Sequence, residues 1–113
     1  MRHDLIRLRH MLDAAQEAIT FASGKTRKDL DIDRILALAI VKSIEIIGEA
    51  ASKVTEKFRS NKKGIPWEDI ITMRHRLTHA YFDINLDIVW QTVRADLPEL
   101  IKELEEIIPP EKL

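Results

Sequence analysis

Nine consecutive residues, Met73-Arg74-His75-Arg76-Leu77-Thr78-His79-Ala80-Tyr81, hold two of the four histidines, two arginines and the only tyrosine of the chain. A core-facing helix has no packing reason to gather so many ionisable groups. An imidazole is the natural proton-transfer group near neutral pH. A guanidinium can clamp a phosphate through two hydrogen bonds and stabilise the charge that builds at phosphorus. Together they suit metal-free cleavage of RNA, in which a ribose 2′-hydroxyl attacks the adjacent phosphate. On an ideal helix His75 and His79, four apart, share a face, as do Arg74 and Tyr81, seven apart. Arg74 and His79 are five apart, roughly 140° around the axis, so a regular helix splays them. They converge better if the helix frays or turns near Thr78-His79. The reaction also needs a base and an acid, and one His79 supplies one of these at a time. A dimer that brings two copies together is therefore mechanistically attractive.

Two other readings compete on chemistry alone. His75 and His79 could ligate zinc with Asp83 or Asp87 as a third ligand. However, the glutamate of a His-Glu-x-x-His pattern is missing from the second position. An exposed helix end that merely carries charge accounts for the residues about as well.

The elements that must position this stretch read as helices. The chain has 113 residues, 45% hydrophobic and 33% charged, with three Gly and four Pro. That balance suits a single α-helical domain over residues 1–113, large enough for a core without staples. Cysteine is absent, so neither disulfides nor thiolate metal sites can form. No apolar run spans a bilayer and the charged start does not resemble a signal peptide, so a cytoplasmic protein is expected. The net charge of −1 is unevenly spread. Residues 51–79 carry seven basic against three acidic side chains, and residues 80–113 carry three against eight. The basic zone runs into the His/Arg stretch and could attract phosphates, or could be a solvated helix end and loop.

In a first helix from Arg2 to about Ala22, Leu5, Leu8, Leu12, Ala15, Ile19 and Ala22 alternate spacings of three and four. Gly24 follows as its stop. His3 and His10, on this helix, read as surface histidines. A second helix begins after Asp29 or Asp31 and runs towards Phe58. Its apolar front, from Ile35 to Val54, is wide enough to need covering on more than one side, by helices of its own chain or by a second subunit. Gly48 in mid-helix costs about 1 kcal/mol against Ala and implies close approach of another helix. Glu45 and Glu49 could be functional carboxylates, with helix-surface charge the safer reading. Arg59 to Gly64 reads as a loop. A third helix runs from Pro66 to about Thr78 or His79. The turn and cap residues Asp83 to Asp87 open a fourth, which Pro98 interrupts. The sequence shows no strand pattern. The expected fold is all-α, an up-down bundle of four long helices with the last one broken. Trp67, Phe82 and Trp90 read as core or interface packing.

Arg74-x4-His79-x-Tyr81 resembles the signature of the HepT-like toxins of the HEPN superfamily. The resemblance extends to Ile46-Ile47-Gly48-Glu49-Ala50, to Ile65-Pro66-Trp67, and to the run from Tyr81 to Trp90 followed by Asp96-Leu97-Pro98. It covers nearly the whole chain in order. It implies a dimerising helical bundle that places two Arg/His motifs in one cleft, and a metal-independent endoribonuclease, needing no cofactor, that acts on tRNA or mRNA and arrests growth. It also implies a partner, a small MNT-type nucleotidyltransferase antitoxin of a type VII system, which neutralises the toxin by AMP transfer to the motif tyrosine, Tyr81. Carried over, Arg74 would orient and neutralise the scissile phosphate and His79 would be the general acid/base. Position 75, more often Asn in such proteins, is His75 here; with Arg76 it would give supporting polar contacts, or it would act as an extra proton-transfer group, a departure that bears on rate and pH optimum. The alternative is a HEPN-like module that only docks a nucleotidyltransferase or nucleic acid.

Overall fold

The spacing of three and four in the first 22 residues builds α1, Arg2–Ala22. Its buried side is Leu8, Met11, Leu12, Ala15, Ala18 and Ala22, with Leu5 and Ile19 packed at the margin. The alanines keep that side low, so that α3, Arg34–Ser52, lies along it. Gly24 takes a φ of 75°, the left-handed conformation that lets the chain leave α1. His3 and His10 are exposed, as expected. The computed structural model describes residues 2–80 and 83–109, and gives only the backbone for Arg2, Thr78, His79 and Ala80.

The single second helix expected from Asp29 or Asp31 to Phe58 is in fact three: α2 (Arg27–Ile32), α3, and α4 (Glu56–Asn61). Each start carries its own cap, and that is why the run divides. The Thr26 N–H donates to Asp29 Oδ2 at 2.7 Å at the head of α2. Asp33, rather than Asp29 or Asp31, caps α3 by accepting from the Leu36 N–H at 3.0 Å. The Thr55 hydroxyl accepts from the Phe58 N–H at 3.3 Å and starts α4, which takes in Arg59 to Asn61 of the expected loop. Thr55 also ties α4 to α1. Its N–H and its hydroxyl each donate to the Asp4 carboxylate at 2.8 Å.

α5 (Trp67–Leu77) stops one to two residues short of the expected end. The chain then turns into two short antiparallel strands, β1 (Thr78–Ala80) and β2 (Asp83–Ile84), which pair Thr78 with Ile84 and Ala80 with Asp83. So brief a pairing has no alternating apolar pattern to betray it, so the sequence shows none. The Asn85 N–H bonds back to the Leu77 carbonyl and so closes the excursion at the helix end it left. Asn85 also caps α6 (Leu86–Gln91), its side chain accepting from the Ile88 N–H at 3.2 Å.

The fourth helix is composite, as expected, but the irregularity precedes Pro98. Thr92–Asp96 winds as a π-helix between α6 and α7 (Leu97–Ile107), and the Leu97 N–H reaches back to the Thr92 carbonyl. Proline cannot donate and its ring crowds the carbonyl four residues before it. Widening the preceding turn shifts the ladder where that conflict would arise. The fold is all-α, with its core gathered from α1, α3, α5 and the α6–α7 rod around Ile40, Leu77, Val89 and Leu104. Among the described residues no helix is long and apolar enough to cross a membrane.

Candidate functional site

Gly48 sets the geometry of the site. A Cβ built there would lie 3.0 Å from the Ile70 carbonyl oxygen, so α3 and α5 approach backbone to backbone where any larger residue would hold them apart. Between the two helices opens a cleft of about 180 Å³. α3 contributes Glu45, Gly48, Glu49 and Ser52 to it, and α5 contributes Thr72, Arg74 and His75. Arg74, His75 and Arg76 all sit in the last turn of α5, where cationic side chains complement the negative end of the helix dipole.

The structure divides the expected residues. Arg74 and His75 share the cleft and are exposed to solvent. Arg76 points to the other flank of α5, where it borders a separate cavity of about 260 Å³ and stands 4.0 Å from Asp69. It does not join Arg74 and His75. The backbone of His79 lies in β1, two residues beyond the end of α5. The ideal-helix pairing of His75 with His79 therefore lapses, and the turn that would help Arg74 and His79 converge is present. Tyr81, like Phe82, lies outside the described residues.

Of the zinc ligands considered, Asp87 is engaged by Arg27, whose Nε donates to it at 2.8 Å. Among the described residues no three His, Asp or Glu side chains are gathered as a metal site. Trp67 is core, its indole N–H donating to the Lys62 carbonyl at 2.9 Å. Trp90 is half-buried beneath the Arg94 guanidinium, 5.5 Å from the ring centre. What the sequence underweighted is the carboxylate wall. Glu45 and Glu49, four apart with Gly48 between them, face the motif across the cleft. The signal was the glycine, since a mid-helix close approach brings its flanking residues to the neighbouring helix.

The family profile described as ribonuclease HepT-like matches residues 11–107. The chain belongs to this family. Among its relatives, a protein of Caldanaerobacter subterraneus subsp. tengcongensis, named as an RNase by inference, is 38% identical over 93% of this chain and 94% of its own length. A protein of Thermococcus cleftensis, named as a ribonuclease HepT on the same footing, is 33% identical over 85% of this chain and 91% of its own. An RNase of Methanocaldococcus jannaschii, also named by inference, is 35% identical over 87% and 81% respectively. No solved structure matches the chain.

Proposed function

We propose that this HepT-like chain is one helical domain acting as a metal-independent endoribonuclease, the toxin of a type VII toxin–antitoxin pair, with tRNA or mRNA as substrate. The observation that carries the reading is the meeting of Arg74 and His75 in one cleft at the very end of α5, just before the chain turns into β1 with His79. Arg74 neutralises the scissile phosphate, His79 transfers the proton, and His75 adds a polar contact beside them. Arg76, on the far flank, contributes to the field that attracts RNA and not to the cleft itself. The names of the relatives support the activity class.

The reading includes a homodimer that juxtaposes two such clefts. On a helix turning about 100° per residue, Ile35, Leu38, Ala39, Lys42, Ile46 and Glu49 fall within about 100° of arc. In that stripe Ile35 is 82% exposed, Leu38 44% and Ile46 38%. An apolar stripe left open beside the cleft is what a second copy would cover. Neutralisation is by an MNT-type nucleotidyltransferase that transfers AMP to Tyr81, adding negative charge and bulk where the RNA phosphate must sit.

The test is cleavage of total tRNA and mRNA in EDTA by partner-free protein, beside His79→Ala and Arg74→Ala, with intact mass read on the same sample. Cleavage by wild type, reduced at least about 100-fold in either variant, is the expected result. Folded, unmodified wild type that cleaves neither RNA class would turn the assignment to a module that only binds.

A further inference from the structure

The cleft is not simply basic. It sets two carboxylates, Glu45 and Glu49, against one guanidinium and one imidazole. A pocket that only held phosphate would gain nothing from two like-charged groups and would lose affinity to them. A pocket that must also remove a proton from a hydroxyl beside that phosphate has a use for a carboxylate as base. The two differ in setting. Glu49 is 68% exposed and its carboxylate has Lys53 Nζ 3.6 Å away. Glu45 is half-buried and, among the described residues, makes no hydrogen bond or ion pair. Its oxygens are therefore left to solvent or to a ligand in the cleft.

We propose that Glu45 is the general base of the reaction, working within the same protomer as Arg74. The inference rests on the ribonuclease reading above and removes a difficulty in it, since His79 need no longer serve as both base and acid. The Glu45 carboxylate takes the proton of the ribose 2′-hydroxyl. The 2′-oxygen forms its bond to phosphorus as the bond from phosphorus to the 5′-oxygen breaks, and the leaving 5′-oxygen takes its proton from the His79 imidazole. The products are a 2′,3′-cyclic phosphate and a 5′-hydroxyl. Glu45 then returns its proton to solvent and the imidazole regains one. Arg74 holds the charge on the phosphoryl oxygens throughout. Gly48 acquires a purpose, because its contact with Ile70 brings the α3 carboxylates within the cleft that Arg74 lines.

Single-turnover cleavage of RNA is measured across pH for wild type, Glu45→Gln, Glu45→Ala and Glu49→Gln, with binding followed on a 2′-O-methyl RNA that cannot be cleaved. The charged groups lining the cleft with Glu45 are Glu49, Arg74 and His75, and their contribution is common to wild type and the Glu45 variants. Wild type is expected to show a bell-shaped profile. Glu45→Gln is expected to lose about 100-fold or more in rate together with the acid limb, and to bind the 2′-O-methyl RNA within a few-fold of wild type. Added formate restores part of the rate of Glu45→Ala and leaves wild type unchanged. A rate unaffected by Glu45→Gln, a loss confined to binding, no rescue by formate, or the large loss appearing in Glu49→Gln instead would each overturn the proposal while leaving the ribonuclease reading intact. Wild type that does not cleave at all would remove both.

Discussion

At the scale of single residues, burial decides what a charge is for. Asp4 is 3% exposed, unusual for a carboxylate, and its two oxygens accept from the N–H and hydroxyl of Thr55. Burial alone pushes its carboxyl up, but the Thr55 hydrogen bonds and the nearby His3 outweigh it and leave the group below its ordinary value. A folded-state pKa below the unfolded one contributes stability that is present above the unfolded value, about 4, and lost as pH falls through the folded value. Asp4→Asn should therefore lower stability at pH 7 by about 1.5–3 kcal/mol. It should also flatten the fall in stability below pH 4, which urea titrations at pH 3, 4 and 7 would read. Loss of the same size at pH 3 and pH 7 would contradict the linkage. Exposed pairs such as Arg9 with Asp13 contribute little by comparison.

At the scale of elements, the packing of α3 on α5 fixes the position of Arg74 and His75. Replacing Gly48 by Ala favours the helix by about 1 kcal/mol of propensity. It also sets a methyl group 3.0 Å from the Ile70 carbonyl oxygen, a backbone atom that cannot swing away. Overpacking of this kind costs about 1–3 kcal/mol, so the steric term wins. Gly48→Ala should lower Tm by about 4 °C and reduce RNA cleavage by more than that loss of stability explains, because α5 shifts the motif away from the α3 carboxylates. Thermal melts beside cleavage assays well below Tm would separate the two effects. Unchanged activity with an unchanged Tm would mean that the contact relaxes freely.

For the whole molecule, the question is what covers α3. The stripe of Ile35, Leu38 and Ile46 lies on the face of α3 left open by its own chain. If the proposed dimer forms through this stripe, Ile35→Glu combined with Ile46→Glu should convert it to a folded monomer, read by light scattering on a sizing column and by circular dichroism. If cleavage needs residues from both copies, activity falls with the dimer. If Glu45 and the motif of one protomer suffice, a monomer keeps most of its rate per site. That comparison decides whether the acid and the base come from one chain.

The sequence by itself determined the helical class, the composite last helix and the family, because apolar periodicity and motif spacing are local properties that survive without coordinates. It marked Arg74, His75, Arg76, His79 and Tyr81 as one group for the same reason. It could not divide the run from Arg27 to Asn61 into three helices, since Asp29, Asp31 and Asp33 are equivalent as caps until packing chooses among them. It could not see β1 and β2, too short to carry an alternating pattern. Helix geometry sets Arg74 and Arg76 about 200° apart, but not which cavity each borders on its flank of α5. Only the tertiary structure, through the approach of α3 to α5 at Gly48, placed Glu45 and Glu49 opposite Arg74 and His75. Adjacency between helices depends on which faces the core consumes, and no single stretch of sequence records that.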